Sequence, residues 1–226
     1  LISLVLPYFN RAEATTRALK RHADLYPDVD MEVVIIDDGS ETPYYAPPGM
    51  PWPVHVIRMP RKAGPLNPCL PINIGVQCSS GRVLAISNPE IVHRTAVLPE
   101  LVKSLETADY VTAACWCPET SRWHAHSNRT PLYADRTEVK MPAGAQYHFL
   151  AIVSRETWDA CGGFDNDFRG GAGYDDNDFL LRLDRIGASF AIRDDLVVDH
   201  SRAGAHAAWT PHMFERNRKL FLSKWG

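Results

Sequence analysis

Residues 31–40, MEVVIIDDGS, run from an apolar stretch, Met31 to Ile36, directly into Asp37-Asp38-Gly39-Ser40. This is the pattern of a strand buried on both faces of a parallel sheet, whose C-terminal end emerges into a polar loop. Upstream, Ile2 to Leu6 is a second β-rich run, stopped by Pro7, and Glu13 to Leu25 has helical spacing. Downstream, Pro43, Pro47, Pro48, Pro51 and Pro53 make an irregular loop before a strand at Val54 to Met59. A helix from Asn67 to Cys78 leads through Gly81 to a buried strand at Val83 to Ile86, which ends in Ser87-Asn88-Pro89-Glu90. This alternation of strands and helices predicts an α/β fold with a doubly wound, mainly parallel sheet flanked by helices.

The second half is less regular. Leu98 to Thr107 reads as a helix, Tyr110 to Cys115 and Phe149 to Val153 as strands, and Arg155 to Ala160 as one or two helical turns. From Cys117 to about Ala145 the chain is polar and without periodicity, which in a compact domain marks a lid or binding loop. Cys161 to Gly173 is a glycine-rich loop. Asp176 to Ile186 is an amphipathic helix closed by Gly187, Ser189 to Ile192 and Leu196 to Val198 are strands, and Met213 to Trp225 is helical in pattern.

The 226 residues suit one large domain, 1–226. Hydrophobic content of 45% and charged content of 23% are ordinary for a globular chain. A net charge of -3 supplies no global field for nucleic acid. No apolar stretch is long enough to span a membrane, and LISLVLPYFN lacks the basic flank of a signal peptide. A cytoplasmic protein is expected, its five cysteines free thiols.

Ligands of such sheets sit beyond the carboxyl ends of the strands. Three of those ends carry Pro7-Tyr8-Phe9-Asn10-Arg11, Asp37-Asp38-Gly39-Ser40 and Ser87-Asn88-Pro89-Glu90. Asp38 can accept the imino proton of uracil or a ribose hydroxyl, while Gly39 lets the backbone approach a ligand closely. The same Asp-Gly is also an ordinary turn.

Taken together, LVLPYFNR, VVIIDDGS, Asn73-x-Gly75 followed by SSGRVLAI, GGFDNDF, GYDDNDFLLRL and VVDHS resemble the GT-A glycosyltransferases of family two, in the family's order and across residues 2 to about 201. The resemblance implies a Rossmann-like GT-A fold and an inverting enzyme that moves a sugar from a nucleotide-diphosphate donor, UDP by analogy, to an acceptor hydroxyl. It implies a nucleotide-binding part over about 1–92 and an acceptor and catalytic part over about 93–226. Pro7, Phe9, Asn10 and Arg11 then lie where the first strand touches base or ribose, and Asp38 at the uracil-binding position. Asn67 and Asn88 fall beside the donor, with Arg61 and Lys62 as other sources of charge for the diphosphate.

The family's catalytic base maps to Asp176, with Asp175 before it. A base here is a carboxylate within reach of the acceptor hydroxyl. Either acid could instead cap the helix it opens. The family's Asp-x-Asp metal motif is replaced by Ser87-Asn88-Pro89-Glu90, which leaves Glu90, together with His200 of VVDHS, to hold a divalent cation, Mn²⁺ or Mg²⁺. That departure keeps a catalytically inactive nucleotide-sugar-binding module as the alternative. A nucleotidyltransferase usually needs a glycine- and lysine-rich phosphate loop near the first strand, and PYFNRAE offers none. Cys115-x-Cys117 and His124-x-His126 lack the spacing of common structural zinc sites, so Trp123, His124 and Arg129 are read as an acceptor lid. The basic closing segment FERNRKLFLSKW is expected to pack on the domain rather than on a membrane.

Overall fold

The structure is a computed structural model that describes residues 1–60, 67–129, 139–201 and 209–226. Its strands are β1 (Ile2–Tyr8), β2 (Met31–Asp37), β3 (Val54–Arg58), β4 (Val83–Ser87), β5 (Ile91–His93), β6 (Tyr110–Cys117), β7 (Arg122–Ala125), β8 (Leu150–Ser154) and β9 (Phe190–His200). They form one mixed sheet in the order β3-β2-β1-β4-β8-β6-β9-β5, with β7 paired to β6. The helices are α1 (Ala12–Leu25), α2 (Cys69–Gln77), α3 (Val97–Ser104), α4 (Arg155–Cys161), α5 (Asp175–Arg185) and α6 (Pro211–Trp225).

Every residue of β2 is buried, including Glu32, whose carboxylate accepts from Ser3 Oγ and Ser80 N. It lies between β1 and β3, and these three strands and β4 are parallel. Beyond β4 the sheet changes character: β8 joins β4 antiparallel, and β6 continues from β8 antiparallel. Successive side chains of β1 feed opposite cores. Leu4 and Leu6 belong to one core with Leu19 of α1 and Leu98 of α3, whereas Val5 belongs to the other with Ile72 of α2 and the aromatic residues Phe164, Phe179 and Phe221.

Three expectations change. The segment from Cys117 to Ala145 is not wholly irregular, because β7 pairs antiparallel with the end of β6. The strands expected at Ser189 to Ile192 and Leu196 to Val198 are one strand, β9. Its register on β6 jumps from Ala113–Arg193 to Ala114–Val197, so residues 194–196 form a bulge without ending the pairing. A short strand, β5, follows Glu90 directly and pairs antiparallel with the end of β9.

The closing helix packs inward. Thr210 caps α6, Phe221 is fully buried, and Asn217 Nδ2 donates to the carbonyls of Phe168 and Gly173, both at 2.9 Å. No helix among the described residues is long and apolar enough to cross a membrane.

Candidate active site

Because β1, β2 and β4 are parallel neighbours, residues 7–11, 37–40 and 87–90 emerge on one edge of the sheet. The two acids after β2 divide the work. Asp37 is consumed by the turn: its carboxylate accepts from Ser40 N at 2.9 Å, from Tyr44 N at 3.4 Å and from Arg58 Nη1 at 3.3 Å. Gly39, with φ of 76°, makes that turn in a conformation a side chain disfavours. Asp38 is left to face the edge, where its Oδ1 accepts from Arg169 Nη2 at 2.7 Å. Burial raises the Asp38 pKa, and the Arg169 charge opposes the rise.

Asn10, also left-handed at φ 51°, ties β1 to this turn through Ser40 Oγ and the amide of Glu41, each at 2.9 Å. Pro7, Phe9 and Asn88 are half-buried on the same edge. Arg61 and Lys62 lie outside the described residues.

The acidic run is not spent on capping. Tyr174, left-handed at φ 66°, is the cap residue of α5 and makes no side-chain cap, so the helix opens directly on Asp175. Asp175 is buried and accepts from Asn67 Nδ2 at 2.6 Å, while Asn67 Oδ1 accepts from Cys69 N at 3.0 Å. Asn67 therefore links Asp175 to the start of α2. Asp178 is buried beneath Arg182 (2.8 Å), Lys224 (2.5 Å) and Trp225 Nε1 (2.9 Å), which fastens α6 to α5.

Asp176 keeps 28% of its side chain exposed and places Oδ1 3.0 Å from His148 Nδ1. Loss of water around it pushes its pKa up to about 7. Asp175 is also pushed up to about 7, by burial first and by the neighbouring Asp176 charge second. Burial drives His148 down to about 4, so at neutral pH an uncharged imidazole lies beside the carboxylates. A hydrogen-bonded path joins this cluster to the donor edge: Asp175 to Asn67, Asn67 N to Arg169 O at 3.2 Å, and Arg169 to Asp38.

The glycine-rich loop beneath is held by Asn73, whose amide bonds both the N and O of Phe164, at 2.9 and 2.8 Å. Phe164 itself stacks on Phe179, centroids 4.3 Å apart, and Trp158 joins that core. Sequence reasoning missed His148 and Arg169. His148 precedes β8 in a stretch without periodicity, and nothing in its spacing to Asp176 announces the contact.

The corner assigned to a metal is formed by register. Ile91 of β5 pairs with His200 of β9, which brings the preceding Glu90 against the imidazole. Glu90 Oε1 lies 2.9 Å from His200 Nε2 and also ion-pairs with Arg11. Burial acts to raise Glu90, but the His200 bond and the Arg11 charge outweigh it and hold the carboxyl below its ordinary range. Its Oε2 is buried and has no hydrogen-bond partner. An orphaned carboxylate oxygen beside an imidazole fits the divalent cation that the resemblance implied.

Within the segment from Cys117 to about Ala145 expected to be an acceptor lid, Trp123 and His124 belong to β7, Trp123 packs edge-on against Trp116 at 4.9 Å, and His124 Nδ1 lies 2.9 Å from His200 Nδ1. Part of that segment, 130–138, is outside the described residues.

With this geometry in place, comparison with known proteins gives a family. The family model for glycosyl transferase family 2 matches residues 3–168. No curated protein is similar enough in sequence to count as a relative. Among solved structures, TarS of S. aureus superposes with a TM-score of 0.67 at 14% identity, over 97% of this chain and 38% of that one. A TarS fragment, 1–349, in complex with UDP-GlcNAc gives 0.60 at 14% identity, over 88% of this chain and 58% of that one. The mannosyltransferase PcManGT from Pyrobaculum calidifontis, in complex with GDP-Man and Mn²⁺, gives 0.59 at 16% identity, over 95% and 59%. At these identities the likeness is one of fold, and the chain spans well under two thirds of each of these three structures. The family match covers most of the chain, and with the strand-end motifs and the acidic run that opens α5 it establishes that this protein belongs to glycosyl transferase family 2.

Proposed function

We propose that this chain transfers a glycosyl group from a nucleoside-diphosphate sugar, with UDP as the nucleotide, to an acceptor hydroxyl with inversion at the anomeric carbon. The observation that carries the reading is Asp176: a partly exposed carboxylate, pushed up to about 7, at the head of a helix linked by hydrogen bonds to the nucleotide edge. A base is most effective when its pKa lies near the working pH. Asp176 takes the acceptor proton as the hydroxyl oxygen attacks from the face opposite the diphosphate. Asp175, tied to Asn67, positions the turn that presents it.

Asp38 receives the base of the nucleotide, and Pro7, Phe9, Asn10 and Gly39 shape the edge against which base and ribose lie. Arg11 and Asn88 flank the phosphates. Glu90, through Oε2 and with His200 beside it, would hold a divalent ion, Mn²⁺ or Mg²⁺, whose charge offsets that of the leaving diphosphate. The nucleotide-binding part spans about 1–92 and the acceptor and catalytic part about 93–226, in a single domain. The UDP and GDP-Man complexes of the structural neighbours, one of them holding Mn²⁺, support a nucleotide-sugar donor.

The test is a thermal-shift panel of nucleotide sugars with and without Mn²⁺, followed by donor hydrolysis and transfer assays. A UDP-sugar shift enhanced by Mn²⁺, with turnover lost in Asp176→Asn, supports the proposal. Donor binding without any turnover leaves a nucleotide-sugar-binding module instead. A shift unaffected by Mn²⁺ and by Glu90→Ala removes the metal assignment.

A further inference from the structure

Beside Glu90, three strands bring His200 together with two side chains, Cys115 and His124, that the donor reading leaves unused. Cys115 of β6, His124 of β7 and His200 of β9 place a sulfur and two ring nitrogens within 4.8 Å of one another. Sheet register does this. Cys115 pairs with Ala125 on one side and Val198 on the other, and a register shift between Cys115 and Trp116 turns His124 toward the group. Neither Cys117 nor His126 takes part: Cys117 Sγ contacts Glu119 Oε2 at 3.5 Å, and His126 lies 3.7 Å from Asp194. One member of each pair, Cys115 and His124, instead meets His200.

The nitrogen roles follow from chemistry. A carboxylate only accepts, so the 2.9 Å contact with Glu90 Oε1 requires the hydrogen to be on His200 Nε2. The lone pair of His200 then sits on Nδ1, which faces His124 Nδ1 at 2.9 Å. An imidazole that donates from one nitrogen to a carboxylate and offers the other to neighbouring ligand atoms is the arrangement of a metal-ligating histidine. Phe149 walls both rings, at 5.2 and 5.1 Å, and Cys115 is fully buried.

We infer that Cys115 Sγ, His124 Nδ1 and His200 Nδ1 form a binding site for Zn²⁺, with Glu90 as the outer carboxylate that holds His200. One sulfur and two imidazoles select a borderline-soft ion over Mg²⁺ or Ca²⁺. Bond lengths of about 2.0–2.1 Å to nitrogen set two tetrahedral nitrogens roughly 3.3 Å apart, so the imidazole pair opens by only a few tenths of an ångström. Three protein ligands leave a fourth position for water or a ligand oxygen. The ion ties the carboxyl ends of β6, β7 and β9 together and fixes the Glu90 side chain. It differs from the Mn²⁺ or Mg²⁺ ion of the proposed transfer reaction, which Glu90 would hold through Oε2 while His200 Nε2 stays on Glu90 Oε1.

The experiment strips the full chain of metal with a chelator and titrates it with Co²⁺, a visible stand-in for Zn²⁺. One Co²⁺ per chain is expected, with a thiolate-to-cobalt charge-transfer band and the strong visible bands of tetrahedral cobalt, bleached by Zn²⁺ and not by Mg²⁺. Cys115→Ala removes the charge-transfer band. Because Cys115 is a core residue, His124→Asn is the second variant; it retains its circular dichroism and weakens uptake beyond about hundredfold, while Glu90→Gln weakens it about ten- to hundredfold. No cobalt uptake by the unsubstituted chain, or uptake unchanged in both Cys115→Ala and His124→Asn, overturns the inference. Asp176→Asn keeps its cobalt site, so failure of this inference and failure of the transfer reading are separable.

Discussion

A carboxylate becomes a useful base near neutrality only when its surroundings lift it out of the range in which it is always ionised. Asp176 meets that condition, at about 7, and keeps 28% of its side chain open to an incoming hydroxyl. The fold accommodates its charge poorly, which leads to two expectations for one substitution. Asp176→Asn lowers kcat by about 10²–10⁴-fold while leaving donor binding in place. The same variant melts at a higher temperature than the parent at pH 8, because an Asp whose folded pKa is raised destabilises the fold above that pKa. Transfer assays and thermal melts on the same preparation check both; a variant that loses activity and also melts lower at pH 8 contradicts the second. Protonation should also silence the base. Transfer activity falls along an acidic limb centred near pH 7, an apparent value that belongs to the Asp175–Asp176 pair, and the pH profile of kcat/KM measures it.

Between elements, the decisive contact is α2 on β1. A Cβ at Gly75 would stand 2.4 Å from Val5 Cγ1 in the middle of a buried strand, so the helix lies as close to the sheet as a glycine permits. Asn73, two residues earlier on α2, holds the glycine-rich loop through Phe164, and Asn67 just before α2 holds Asp175. The seating of α2 thus sets the height of the catalytic turn. Gly75→Ala gains helix propensity but overpacks this contact, and the clash wins: about 1–3 kcal/mol of stability is lost, read as a lower denaturant midpoint. Transfer activity falls with it, because Asn67 and Asn73 move with the helix.

For the whole molecule, pH acts through opposing buried groups. His22 is buried between α1 and β5, neither ring nitrogen finds a hydrogen-bond partner, and its pKa is lowered to about 4 by burial. Between pH 6.5 and about 4 the unfolded chain binds a proton there that the folded chain refuses. Stability present above pH 6.5 is therefore lost as pH falls, on the order of 3 kcal/mol for this one histidine. Asp175 and Asp176 act in the other direction over much the same range, taking up protons in the fold before the unfolded chain does. His22→Leu removes one arm of the balance, so its stability relative to the parent improves as pH falls from 6.5 to 4. Urea unfolding at a series of pH values measures this, and an unchanged difference across that range refutes the assignment.

Much of this was readable from local pattern. β2 announced itself because each of its residues is buried, which favoured an apolar run broken only by Glu32, and the acids, glycine and serine at its end marked the strand's exit. Helix α5 was visible for the same kind of reason, in its apolar spacing and its acidic start. Neither β5 nor β7 was, since three or four residues with polar members carry no period, and each exists only because a partner strand distant in sequence supplies its hydrogen bonds. From residue pattern came the α/β architecture, the shared edge of the strand ends and the acidic run proposed to hold the base. Folding decided which acid stays open, that His148 lies beside Asp176, and that Glu90 and His200, 110 residues apart, share a hydrogen bond next to Cys115 and His124. The physical reason is that strand register brings side chains within ligand distance across the sheet, and register depends on pairing between distant segments that no local spacing records.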